Sequence, residues 1–107
     1  MAMIDDLEAM LEAGQDSALL RFTLGMAFLK QEKYRQAVQQ LEHAVQHDPE
    51  YSAAWKAYGK ALVGADDKAA ASEVFAKGIA VAERKGDVQA AKEMRVFLKR
   101  IQKAQNP

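Results

Sequence analysis

The chain of 107 residues contains no cysteine, only two prolines, and no long run of apolar residues. Without cysteine it has no disulfide, no thiolate metal site and no cysteine nucleophile. No segment approaches the roughly 20 apolar residues that a helix needs to span a bilayer. The first residues, 1–8, are acidic and amphipathic, whereas a secretory signal is basic and then apolar. We therefore expect a soluble, cytoplasmic protein.

Strand signals are equally scarce, because β-branched residues are scattered and no segment alternates between apolar and polar residues. Ala, Leu, Glu, Lys, Gln and Arg dominate, and apolar residues recur at spacings of three and four, which is typical of amphipathic helices. The spacing predicts six helices, at 3–13, 18–30, 34–47, 51–63, 67–84 and 88–104. The expected breaks and caps are Gly14, Asp16 or Ser17, Asp48-Pro49, Gly64, Asp66, Gly86 and Asp87. Short connections predict antiparallel neighbours in an all-α fold.

Formal net charge is zero, but the two halves of the chain differ. Residues 1–53 carry nine acidic and four basic side chains, a balance of −5, and residues 54–107 carry six and eleven, a balance of +5. A neutral molecule exerts no long-range attraction on nucleic acid as a whole. The polarity allows a local acidic or basic face, and it allows two copies of the chain to pair.

An internal repeat appears when the sequence is shifted so that Gly25 aligns with Gly59, because the same shift aligns Ala37 with Ala71. A glycine inside a helix costs about 1 kcal/mol relative to alanine. Two glycines at equivalent positions of the repeat therefore predict that a neighbouring helix comes close at both.

At these residues the chain resembles the tetratricopeptide repeat, whose units of about 34 residues carry the signature W-x2-L-G-x2-Y, then A-x3-F, a small residue and Pro. The second unit matches at Trp55, Tyr58, Gly59, Leu62, Ala71, Phe75 and Gly78. The first unit matches at Leu24, Gly25, Phe28, Ala37, Leu41, Ala44 and Pro49. It departs from the signature at Arg21, where Trp is usual, and the second unit departs at Glu83, where Pro is usual. Without that proline, helix five is expected to continue one turn further, to Gly86.

The resemblance implies a right-handed α-solenoid of antiparallel helix pairs in a single domain, 1–107. Residues 3–16 would form the second helix of an incomplete repeat, 17–50 and 51–85 two full units, and 87–104 a capping helix. It also implies a protein–protein interaction module, an adaptor or scaffold, with the first helix of each unit lining a concave groove.

The groove-facing positions that the resemblance implies are apolar on helix two and partly basic on helix four. They are Leu19, Phe22, Met26, Leu29, Ala53, Lys56, Lys60 and Val63. One interpretation is a peptide groove, with an apolar anchor on Phe22 and Met26 and an acidic group near the two lysines. The alternative is that helix six or a second copy covers this row. Phe22 and Met26 stand where some family members place part of a Lys and Asn clamp for a terminal carboxylate, so that clamp is absent or incomplete.

Other candidate sites are weaker. His43 and His47 lie four residues apart, without a third ligand or the Glu of a zinc protease, so we expect a surface pair and no metal. Three aromatic residues, Tyr51, Trp55 and Tyr58, could stack on a base or another ring, but they stand at the packing positions of the family, so we expect them in the core.

Helix six is basic and amphipathic, with Lys92, Arg95, Lys99, Arg100 and Lys103, and Arg84 and Lys85 precede it. We expect it to be an end cap, with contact to nucleic acid or an anionic surface as the less favoured alternative. The sequence has no phosphate-binding loop and no nucleophile motif, and we expect neither a cofactor nor enzymatic activity. The leading interpretation is an adaptor that binds a protein or peptide partner, and the rival is a homo-oligomeric structural unit.

Overall fold

The computed structural model describes residues 2–105, which form six α-helices with no strand among them. The helices are α1 (Ala2–Glu12), α2 (Ala18–Lys30), α3 (Tyr34–His47), α4 (Ser52–Gly64), α5 (Lys68–Lys85) and α6 (Val88–Gln105). These bounds lie within one residue of the predicted ones, and the all-α fold is confirmed. As expected from Glu83 in place of proline, α5 continues to Lys85, so it has 18 residues where α3 has 14.

Three helices, α2, α5 and α6, begin with a residue whose side chain caps the helix. Ser17 Oγ accepts a hydrogen bond from the backbone N–H of Leu20 at 3.0 Å and caps α2. For α5 the predicted cap, Asp66, is wrong: the adjacent Asp67 accepts from the N–H of Ala70 at 3.2 Å. Asp66 has instead a φ of 64°, in the left-handed region, which reverses the chain between α4 and α5.

Left-handed residues end α1, α2, α4 and α5, and only two of them are the predicted glycines. Gly14 and Gly86 have φ values of 88° and 76°, but Glu32 and Asp66 take the same conformation at 59° and 64°. Glu32 and Asp66 occupy equivalent positions of the two units, so the turn inside each repeat has one geometry in both. A residue with a Cβ pays a steric cost in this conformation that glycine avoids.

Gly64, predicted as a helix stop, is the last residue of α4 rather than the turn residue. A Cβ added there would lie 2.2 Å from Cδ1 of Tyr34 at the start of α3. Its small size therefore serves the packing between the two units, because the ring of Tyr34 lies directly against the backbone of α4.

The helices form two layers. Along the inner layer α2 contacts α4 and α4 contacts α6, while α1, α3 and α5 alternate with them on the outside. Within each unit the helices nest at a glycine: a Cβ at Gly25 would lie 2.6 Å from Cγ of Leu41, and one at Gly59 would lie 2.3 Å from Cε1 of Phe75. Both Leu41 and Phe75 are fully buried, so neither has space to move aside. The close approach that the repeated glycines predict is confirmed.

The nesting predicts that replacing glycine by alanine destabilises this protein, although the same replacement usually stabilises a helix. Alanine normally stabilises a helix interior by about 1 kcal/mol relative to glycine. Gly59→Ala should instead lower the free energy of unfolding by about 1–3 kcal/mol, because the new methyl group overlaps a buried ring. Gly64→Ala, in the same helix but against the half-exposed Tyr34, should cost less. Urea unfolding followed by circular dichroism measures both, and a Gly59→Ala protein at least as stable as wild type would contradict the packing.

The left-handed Glu32 predicts a stabilising change. Glu32→Gly should raise the free energy of unfolding by about 1 kcal/mol, because glycine adopts this conformation without steric cost. Gln31→Gly is the matched control, since Gln31 has an ordinary φ of −87° and the new glycine only adds freedom to the unfolded chain. Equal effects of the two substitutions in urea unfolding would show that the turn carries no strain.

Candidate functional site

A groove follows the inner layer between α2 and α4. Its narrow part, about 130 Å³, is lined by Phe22, Met26, Leu29, Ala53, Lys56, Ala57 and Lys60. A wider cavity of about 580 Å³ adjoins it and is lined by Met3, Phe22, Thr23, Met26, Ala27, Leu29, Lys30 and Lys60. The two cavities share Phe22, Met26, Leu29 and Lys60, and we call their combined lining the groove. Its floor is apolar, and its three charged residues, Lys30, Lys56 and Lys60, are all basic.

The apolar residues of the groove differ in how far they are available to a ligand. Met26 is 41% exposed, and its flexible thioether stands where the two cavities meet. Phe22 is half-buried, and its ring packs against Tyr51 with centroids 4.9 Å apart. Phe22 therefore supports the junction of α2 with α4 as well as lining the groove, whereas Met26 contributes mainly surface.

Two residues of the predicted row lie elsewhere. Leu19 is 65% exposed, but it lines a separate depression of about 440 Å³ between α1 and α2, with Leu7 and Met10. It comes two helical turns before Met26, where the helix across from α2 is α1 and not α4. Val63 is 37% exposed near the end of α4, and neither groove cavity includes it.

The lysines of α4 are engaged by α6. Lys56 Nζ donates to Glu93 Oε1 at 2.7 Å, and Lys60 Nζ lies 5.8 Å from the centre of the Phe97 ring. The hydrogen bond from Lys56 is the main cause that lowers the pKa of Glu93. Glu93 compensates the charge of Lys56, so the positive rim of the groove is formed by Lys60 and Lys30. No local pattern marks this pair in the sequence, because its partners lie on helices that are far apart along the chain.

Helix α6 forms the end wall of the groove without covering its apolar floor. It packs on α5 and α4 through Ala90, Ala91, Met94 and Ile101, all buried, and it makes no contact with α2. No helix among residues 2–105, therefore, covers the row at Phe22 and Met26. The basic face of α6 is partly paired, since Arg95 binds Glu83, and Arg84 just ahead of the helix binds Glu50.

The unusual Arg21 has a partner that explains it. Its Nε and Nη2 donate to the two carboxylate oxygens of Asp16 at 2.8 and 2.9 Å, and its Nη1 donates to Gln40 Oε1 at 3.0 Å. This bidentate contact holds the pKa of Asp16 well below its usual range, and His47 adds a contact of 3.2 Å. A polar network thus stands where the repeat signature has Trp.

The remaining candidates have structural surroundings. His43 is exposed, and residues 2–105 contain no group of three His, Cys, Asp or Glu side chains arranged to hold a metal ion. Trp55 is half-buried and donates its indole N–H to the carbonyl of Pro49 at 2.8 Å. Tyr51 and Tyr58 are also half-buried and pack against the core. None of the helices in the described part combines the length and apolar character needed to cross a membrane.

Comparison with known proteins identifies the family that has this architecture. The sequence profile of the tetratricopeptide repeat matches residues 28–94, more than half of the chain. A TPR repeat-containing protein of Pseudomonas aeruginosa is 46% identical over 102 residues, which cover 95% of this chain and 97% of that one. The chain belongs to the tetratricopeptide repeat family.

Solved structures agree with this assignment. A protein of Bordetella parapertussis known from its solution structure is 43% identical, with a TM-score of 0.84 over 97% of this chain and 90% of that one. The TPR2B domain of yeast Sti1, in a complex with pHsp70, has a TM-score of 0.85 over 94% of this chain and 81% of that one. At 15% identity the yeast domain shows a shared fold alone. The tetratricopeptide repeat fold serves generally as a protein–protein interaction module.

One carboxylate fixes the end wall of the groove. Asp87 Oδ1 accepts from the N–H of Ala90 at 3.2 Å and caps α6, and Oδ2 accepts from Ser52 Oγ at 2.7 Å at the start of α4. The hydrogen bond from Ser52, followed by that from Ala90, lowers the pKa of Asp87. One side chain therefore ties the first turns of α4 and α6 together.

We expect Asp87→Ala to lower the melting temperature at neutral pH, with Asp87→Asn in between because its oxygen still accepts a hydrogen bond. A lowered folded-state pKa stabilises the fold above the ordinary carboxyl pKa of about 3.9 and stops doing so as pH falls through the folded value. The gap between wild type and Asp87→Ala should therefore narrow from about pH 5 to about pH 2. A gap that stays constant in thermal scans over this range would contradict the assigned bonds.

Proposed function

We propose that this protein is an adaptor that binds an apolar segment of a partner protein, a helix or an extended peptide, in the groove between α2 and α4. The observation that supports this most is Met26, a large apolar side chain left 41% exposed where the two cavities meet. Its neighbours Phe22 and Leu29 extend the apolar floor on both sides, and α6 does not cover them.

The floor suits an apolar anchor of the partner. Exposed apolar surface in a concave site usually marks a binding surface, and methionine adapts to ligands of different shape. Burial would contribute about 25 cal/mol per Å² of apolar area before the costs of ordering the partner. Affinity would therefore come mainly from Met26, Phe22 and Leu29.

The rim favours acidic residues in the bound segment. Lys30 and Lys60 both line the wider cavity, whereas Lys56 already binds Glu93 at 2.7 Å. An acidic side chain that lies near Met26 would meet Lys60 and Lys30 without having to break the pair between α4 and α6. Because Phe22 and Met26 replace two residues of the carboxylate clamp, an acidic side chain within the segment is favoured over a free chain end.

A peptide-display selection against the immobilised protein tests the proposal. The selected peptides should combine large apolar residues with an acidic residue, and their affinities can be measured as synthetic peptides by fluorescence anisotropy. Met26→Glu should weaken them about tenfold or more, equivalent to about 1.4 kcal/mol, because it places a charge on the apolar floor. Met26 is a sharper probe than Phe22, whose removal would also disturb Tyr51.

The matched control is Ala76→Glu, which places the same charge at an exposed position on the outer helix α5. It should bind the peptides as wild type does. Lys60→Ala should weaken acidic peptides but not their neutral amide counterparts. If the selected peptides bind wild type and Met26→Glu equally, they do not occupy the groove and the proposed site is wrong.

A further inference from the structure

The two ends of the molecule have complementary architecture. Helix α1 lies in the outer layer and packs on α2, as α3 packs on α4, so it occupies the place of the second helix of a repeat. Helix α6 lies in the inner layer and packs on α5 and α4, as α4 packs on α3 and α2, so it occupies the place of a first helix. Each end therefore presents half of a helix pair.

The half at the N-terminal end has an open apolar face. The shift that aligns the two repeat units also aligns Met3, Leu7 and Met10 of α1 with Ala37, Leu41 and Ala44 of α3. Those three residues of α3 are fully buried, because α2 packs on them and α4 also packs on Ala44. On α1, by contrast, Met3 is 54% exposed, Met10 is 40% exposed and Leu7 is half-buried.

These side chains border a site for one more helix. Leu7 and Met10 line the depression of about 440 Å³ together with Leu19, Leu20 and Thr23 of α2. We call this depression the slot; Met3, two turns before Met10 on α1, lines the adjoining wider cavity of the groove. A first helix that paired with α1 would lie there, and no residue among 2–105 fills it. Solenoids normally close their ends with polar caps, whereas this end leaves Leu7, Met10 and Leu19 in an open depression whose polar lining is Gln15, Asp16, Ser17 and Thr23.

The half at the C-terminal end also has an open face. Val88 and Val96 of α6 are 73% and 44% exposed, although Ala90, Ala91 and Met94 of the same helix are buried. The valines are eight residues apart, about 12 Å along a helix, which is close to the roughly 10 Å between Met3 and Met10. Lys92 and Lys99 stand between and beside the valines, and their long aliphatic stems can cover apolar surface while the ammonium groups stay in water.

Charge selects which helix fits the slot. Helix α1 carries Asp5, Asp6, Glu8 and Glu12 and no basic residue. Helix α6 carries five basic side chains and one acidic one: Lys92, Arg95, Lys99, Arg100 and Lys103 against Glu93. A helix with the polarity of α6 is thus attracted to the surface of α1, while a second α1 would be repelled.

We propose that α6 of one copy docks in the slot beside α1 of the next copy, in the place of the missing first helix. Glu93 stands on α6 where Gly25 and Gly59 stand on α2 and α4, so the two helices at this joint lie further apart than the pairs within the chain. The solenoid continues from copy to copy, and the opposite charges of the two halves of the chain meet at each joint. Such a head-to-tail contact uses two different surfaces, so it does not close after two copies and its extent grows with concentration. The slot adjoins the groove and shares Thr23 with it, but the contact requires no ligand between α2 and α4.

Sedimentation equilibrium over a range of protein concentrations tests the contact. The average mass should rise above the monomer's 11.8 kDa at about 0.02 M NaCl and return towards it at about 0.5 M, where the Debye length shrinks from about 20 Å to about 4 Å. A monomer at every concentration and both salt levels would overturn the proposal. Retention on RNA at low salt without self-association would likewise assign the lysines of α6 to another role and overturn it.

Variants in which only one of the two docking surfaces is blocked give the decisive test. Met10→Lys plus Leu19→Lys places cations in the slot, and Lys92→Glu plus Lys99→Glu reverses the charge on α6. Each variant should be monomeric alone. An equimolar mixture of the two should form a dimer of twice 11.8 kDa and no larger species, because only one competent slot and one competent α6 remain to meet.

The controls fix the location of the joint. Lys68→Glu plus Lys77→Glu, exposed on α5, and Ala69→Lys, also on α5, should self-associate as wild type does. In the mixture, amide shifts of the isotope-labelled α6 variant should change on α1 and α2. A mixture that stays monomeric, or one-end variants that still self-associate, would overturn the proposal. If circular dichroism shows that the variant with two lysines in the slot does not fold, the variant Met10→Ser plus Leu19→Ser takes its place.

Discussion

The fold depends on the close approach of two helices at a residue that has no side chain. At Gly25 the side chain of Leu41 occupies the space of a Cβ, and at Gly59 the ring of Phe75 does so. Because Leu41 and Phe75 are fully buried, this contact sets how near the helices of each pair lie. The two pairs join where α3 packs on α4, and the groove lies between their first helices, α2 and α4.

Much of this fold follows from the sequence because the repeat places strict requirements on a few positions. Small residues one repeat length apart mark where backbones meet, and helical spacing with short turns gives antiparallel neighbours. The sequence does not reveal the turns at Glu32 and Asp66, since glutamate does not favour a left-handed backbone and aspartate adopts it far less readily than glycine does. The prediction for Gly64 was wrong for a different reason. A glycine at this place in the sequence is typical of a helix end, but here its small size is required by the ring of Tyr34 in the preceding unit.

The candidate site was predictable where it depends on one helix and unpredictable where it depends on several. Phe22, Met26 and Leu29 share a face of α2, so spacing suffices to group them. Leu19 lies on nearly the same face, yet the helix opposite it is α1, and only the tertiary arrangement decides that. The bond between Lys56 and Glu93 joins helices whose sequences carry no mark of the contact. It nevertheless decides which cations a ligand can reach.

A repeat architecture has no intrinsic end, because the packing that joins one helix pair to the next is the same at every step. A solenoid stops only where its outer surfaces no longer suit another helix, usually through polar caps. Here the first and last helices are unpaired halves, with methionines open on one and valines on the other. Electrostatics separates the two faces, since α1 carries only acids and α6 mainly bases. The stacking of helix on helix would then continue between chains without the nesting at a glycine, since Glu93 takes that position on α6, and charge would set the direction.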